Sequence, residues 1–181
     1  MIKKIASLFL IFIFIVGIFT SFYLLDFSQQ GLVHGQEKIV YTLPYPGILP
    51  DHPLYFIKVI RDKLMDLVTR DYIKKANLYL LFSDKRVNMA LYLAKKGKNK
   101  LAINTFSKAE KYFLNIPDLL MTSKKQGVGS SSELIETVRV SNAKHRELAN
   151  ELLKTTPSTQ IKAMEEILKL NQEIKIQLGK L

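Results

Sequence analysis

Apolar positions follow two regimes along this chain. From Ile5 to Leu25 they run on without a charge, and from Leu54 to the C-terminus they recur every three or four residues. The second regime predicts helices that bury one face, because side chains at those spacings stack on one side of the 3.6-residue turn. A first helix is expected from about Pro53 to Val68, burying Leu54, Ile57, Ile60, Leu64, Leu67 and Val68. Asp71 can cap a second helix from Tyr72 to about Lys96, stopped by Gly97, with Ile73, Ala76, Leu80, Leu81, Val87, Leu91 and Ala94 inside. A third starts near Asn99 and presents Leu101, Ala102, Thr105, Phe106, Ala109, Tyr112, Phe113 and Ile116 on one side; Pro117 should kink or end it. After the loop QGVGSSS, Ser130 with Glu133 matches a capping box for a fourth helix, which buries Leu134, Val138, Ser141, His145, Leu148 and Leu152. Thr156 and Pro157 stop it, and a last helix carries Ile161, Met164, Leu168, Ile174 and Leu178. Short loops between such helices predict an all-α, antiparallel bundle of about five helices over residues 54–181.

Between the regimes lie a polar, aperiodic tether at 26–42 and a proline-rich arm at 43–53. Each proline fixes φ near −65° and pushes the preceding residue toward extended geometry, so LPYPGILPDHPLYFIK cannot begin as helix. Pro46 and Gly47 suit a type II turn, and Asp51 can cap a helix whose first turn holds Pro53. Tyr45, Ile48, Leu49, Pro50, Tyr55 and Phe56 give the segment an apolar surface, which makes it a docking arm expected to lie against the bundle. Residues 1–25 read as a transmembrane or signal-anchor helix, since about twenty apolar residues span a hydrocarbon core of about 30 Å. Lys3 and Lys4 belong on the cytoplasmic side, so the bulk of the chain faces outward at the cell membrane. A signal peptide cleaved just before Gln36 is the alternative, and would make the protein secreted.

Composition narrows the chemistry. The chain has no cysteine, which excludes disulfides and thiolate metal sites, and its net charge is +11. Removing Lys3, Lys4 and Asp26 takes away one unit and leaves +10 on the part beyond the leader, suited to anionic lipid or an envelope polymer. Lys95, Lys96, Lys98, Lys100, Lys108 and Lys111 gather around one helix turn as a basic face, whose bland alternative is a solvated lysine-rich surface. No recognition motif accompanies them, so specific nucleic-acid reading is not expected. No residue three before a histidine is Glu, and HExxH, the phosphate-binding glycine loop and G-x-S-x-G are absent. Neither enzyme activity nor a cofactor is expected. Asp84 and His145 interrupt otherwise apolar faces, and a buried carboxylate must be paired. A polar core clamp is therefore predicted, with Asp84 meeting His145, Lys144 or Arg61; the functional alternative is a ligand- or ion-binding, pH-responsive site.

Over residues 43–153 the chain resembles an uncharacterised bacterial extracytoplasmic domain family, one of the domains of unknown function. The resemblance is carried by LPYPGILPDHPLYFIK, LLFSDKR around Asp84 and Arg86, KAEKY from Lys108 to Tyr112, and SNAKHRE around His145. It implies an exported helical bundle behind an N-terminal signal or anchor, and brings no activity, substrate or catalytic residue. The expected function is a membrane-associated, extracytoplasmic binding or structural module of the cell envelope with an unknown protein partner. The alternative is a sensory or regulatory ectodomain binding a small ligand or ion near Asp84 and His145.

Overall fold

The structure is a computed structural model that describes residues 41–181, and every regular element among them is helical. In chain order they are α1 (Tyr55–Val68), α2 (Tyr72–Lys95), α3 (Asn99–Phe113), α4 (Ile116–Lys125), α5 (Ser132–Thr155), a 3-10 turn (Ser158–Gln160) and α6 (Ile161–Leu178). The expected third helix is two pieces, α3 and α4, broken at Leu114 and Asn115 with Pro117 in the first turn of α4. Pro117 sits where a missing donor costs little, so six helices make five rods. None of the described helices is long and apolar enough to cross a membrane. The leader 1–25 and most of the tether, including His34, lie outside the described residues.

Local chemistry sets the helix ends. Asp71 caps α2 by accepting from the Lys74 N–H at 2.7 Å. At the other end Gly97 takes φ +73°, and the Gly97 and Lys98 amides bond back to the Ala94 and Leu93 carbonyls. Gly127 closes α4 in the same way. The α5 cap is Ser131, which accepts from Leu134 N–H, one residue later than the capping-box spacing implied.

The rods pack antiparallel. The Ser83 hydroxyl of α2 donates to the Ala109 carbonyl of α3, and Tyr79 meets Tyr112 edge to face, so rising numbers on one helix face falling numbers on the other. Asn142 with Asn171, and Arg139 with Leu178, show the same for α5 and α6. α2 is the axle: every residue from 80 to 87 is buried, because different neighbours cover its different sides. Ala76, Leu80, Phe113, Ile116, Leu120, Val138, Ile174 and Leu178 form one apolar cluster drawn from α2, α3, α4, α5 and α6.

α1 departs from expectation. Its apolar stripe faces outward: Phe56, Ile60, Leu64, Leu67 and Val68 are each more than half exposed and Ile57 is 38% exposed. Its buried residues are Lys58 and Asp62. Periodicity located the stripe but not its direction, because the polar partners that pull Lys58 and Asp62 inward belong to other segments. Asp51 likewise does not cap α1; its carboxylate takes Lys98 Nζ at 2.8 Å and Lys96 Nζ at 3.2 Å, while Leu54 stands at the N-cap position without a side-chain bond. These pairs tie the arm to the α2–α3 turn. Pro46 is buried, Leu49 and Pro50 are half-buried, and Tyr45, Ile48 and Pro53 are exposed, so only part of the arm's apolar surface is covered.

Candidate functional site

The polar residues inside the bundle form two groups. The deeper one begins at Asp84, which α2 points at α5. Its Oδ1 accepts from the Ser141 hydroxyl at 2.6 Å and lies 2.9 Å from His145 Nε2. The other ring nitrogen, Nδ1, lies 2.8 Å from Glu110 Oε1 of α3. Glu110 Oε2 accepts from the Asn171 amide of α6, which also donates to the Asn142 carbonyl. Asn142 returns a bond to the Asn171 carbonyl. Phe113 and Phe106 close over the imidazole edge to face. Helices α2 and α3 thus meet the ring carried by α5, and α6 joins the network through Glu110.

Both imidazole nitrogens face carboxylates, an arrangement satisfied when both carry hydrogen. Burial alone would lower the His145 pKa, but the hydrogen bonds and charges of Asp84 and Glu110 outweigh it and raise the value to about 9. His145 is therefore a buried cation at neutral pH, clamped between two anions. All three side chains are 0% exposed, so the cluster holds a proton but has no substrate within reach. With both nitrogens engaged no lone pair is left for an ion, and no group of His, Asp and Glu with metal-holding geometry exists among the described residues.

The second group lies between α1 and α2. Asp62 accepts Arg86 Nη2 at 3.0 Å and Arg61 Nη2 at 2.9 Å. Arg86 also donates to the Phe82 carbonyl, and its guanidinium lies 4.3 Å from the Tyr112 ring centroid. Lys58 Nζ donates to the Pro46 carbonyl at 2.8 Å. Gly47, at φ +67°, makes the turn there; a Cβ in its place would stand 3.4 Å from that ammonium. Burial is the main cause that lowers Lys58 to about pH 7, against the pull of Asp62. Tyr79 donates to Asp66, which also pairs with Lys75, and burial with that bond raises the phenol's pKa.

Of the residues singled out from sequence, the structure brings Asp84 and His145 together. Arg61 pairs with Asp62 and Lys144 with Glu147. The six lysines from Lys95 to Lys111 are all exposed, two of them engaged by Asp51. Glu110 and Asn171 were not singled out, although each stands in its helix's apolar stripe, three residues before Phe113 and Ile174 respectively. The motifs SDKR, KAEKY and SNAKHRE supply Asp84, Arg86, Glu110, Tyr112, Ser141, Asn142 and His145 to these two groups.

The family model for a domain of unknown function (DUF5667) matches residues 47–180. The match begins at the turn glycine of the arm, four residues into the 43–153 stretch that the motifs span, and continues past its end to take in all six helices. No curated protein and no solved structure matches the chain.

Proposed function

The chain belongs to the DUF5667 family, and we propose that it is a membrane-associated, extracytoplasmic binding module of the cell envelope that rests α1 on an anionic lipid surface. The outward stripe of α1 carries this reading. At about 100° per residue, Phe56, Ile57, Ile60, Leu64, Leu67 and Val68 fall within an arc of about 120° that holds no polar residue. Lys63 borders one edge and Arg61, itself paired with Asp62, the other, while both acids of the helix, Asp62 and Asp66, are also bonded to α2. An apolar arc with cations on its rims and its anions turned away suits the headgroup boundary of a bilayer, where long cationic side chains reach to phosphate. Covering the exposed parts of these six side chains is worth on the order of 5 kcal/mol. The uncharged run from Ile5 to Leu25, about thirty residues upstream, would hold the bundle near such a surface. Lys95, Lys100, Lys108 and Lys111 add long-range attraction.

A second copy is the rival occupant. Antiparallel packing of two α1 helices about their midpoints would set Arg61 and Lys63 against their own counterparts, which opposes it. Ligand sensing at Asp84 and His145 has less support, since both side chains are sealed.

The chain's lack of cysteine permits a direct test. Full-length protein carrying Ile60→Cys, labelled with an environment-sensitive dye, is reconstituted into phosphatidylglycerol-containing vesicles with brominated lipid. The dye should be quenched, while a dye attached through Ile176→Cys on α6 should stay in water. Equal exposure of the two sites would overturn the reading, as would lipid-independent crosslinking of position 60 between two copies.

A further inference from the structure

Between α5 and α6 lies a cavity of about 470 Å³, lined by Arg139, Asn142, Arg146, Asn150, Lys175 and Leu178 among others. Arg139, Asn142, Arg146 and Asn150 follow one another at spacings of three and four, so α5 turns a single polar row toward it. Three cations face one acid here, Glu147, and that acid is already held by Lys144 at 2.9 Å. Arg139 donates to the Leu178 carbonyl at the end of α6, which fixes one wall. Arg146 differs: its Nη1 is shut off from water and has no hydrogen-bond partner. That covered nitrogen finds no acceptor within the bundle, and the part of the half-buried guanidinium that lines the cleft is the part a carboxylate or phosphate oxygen can meet.

We propose that this cleft binds a small organic oxyanion, its charged end on Arg146 and its apolar body along Ala143, Leu178 and the Lys175 stem. The size suits a molecule larger than an inorganic ion. Asn142 lines the cleft and also bonds to Asn171, whose amide holds Glu110 against His145, so an occupant sits two residues from the buried charges. The inference stands apart from membrane binding, because it uses α5 and α6 and no residue of α1.

The test is titration of the full chain in detergent with phenyl phosphate, benzoate, inorganic phosphate and benzyl alcohol, followed through the arginine Nε–H resonances and thermal midpoint. Phenyl phosphate or benzoate should bind saturably and at least tenfold more tightly than inorganic phosphate or benzyl alcohol. The tighter of the two assigns phosphate or carboxylate. Arg146→Met should weaken that binding at least tenfold while leaving the fold intact by circular dichroism, and Arg70→Met should not. Absence of saturation by both organic anions, equal binding of benzyl alcohol, binding no weaker with inorganic phosphate, or unchanged affinity in Arg146→Met would each overturn it.

Discussion

An imidazolium between two carboxylates, all without solvent, is held by partners that cannot be removed singly without leaving a charge exposed to low dielectric. Replacing Glu110 by Gln should therefore drop the His145 pKa from about 9 by more than one unit, read from the imidazole proton shifts. Asp84→Ala should destabilise the bundle by roughly 3–5 kcal/mol in denaturant unfolding, because His145 and Ser141 lose their shared acceptor. The Asp84 and His145 pairing was visible in sequence as two polar interruptions of apolar stripes. Glu110 and Asn171 interrupt theirs in the same way, yet a lone Glu or Asn in a stripe has no intrinsic mark of its partner. Only the approach of α3 and α6 to α5 shows that all belong to one network.

At the scale of elements, α1 shows what periodicity can and cannot fix. The extent of this helix to within two residues and five of its six apolar positions were legible, while Phe56 reads from sequence as part of the arm; so were the Asp71 cap, the glycine stop at Gly97 and the proline break after α3. Direction was not, since it depends on Arg86 of α2 drawing Asp62 inward and on the Pro46 carbonyl drawing Lys58. The measurable consequence is an inverted mutational pattern. Leu67→Ser, at a side chain 75% exposed, should change stability by no more than about 0.5 kcal/mol. Asp62→Ala, at one 2% exposed, should cost about 3 kcal/mol or more in the same assay. An ordinary amphipathic helix would give the reverse order.

At the scale of the whole molecule, two buried cations of the described residues, His145 and Lys58, have opposed effects on stability. The folded pKa of His145 is raised, so its stabilisation is complete below pH 6.5 and is lost as pH rises through about 9. The folded pKa of Lys58 is lowered, so the fold gains stability as pH rises from about 7 toward 10.5. The two slopes oppose each other across the alkaline range. Lys58→Met should uncover the His145 term, and stability should then fall by roughly 3 kcal/mol between pH 6.5 and 9, measured by urea unfolding at each pH. A flat profile in that variant would contradict the charged state assigned to His145.

The wrapping of α2 on every side has a consequence for how the protein breathes. A segment covered by all its neighbours can release its amide protons to deuterium only when those neighbours leave together. The amides from Leu80 to Val87 should therefore exchange at the rate of global unfolding, whereas those of α1, covered along one side alone, should exchange through a smaller local opening.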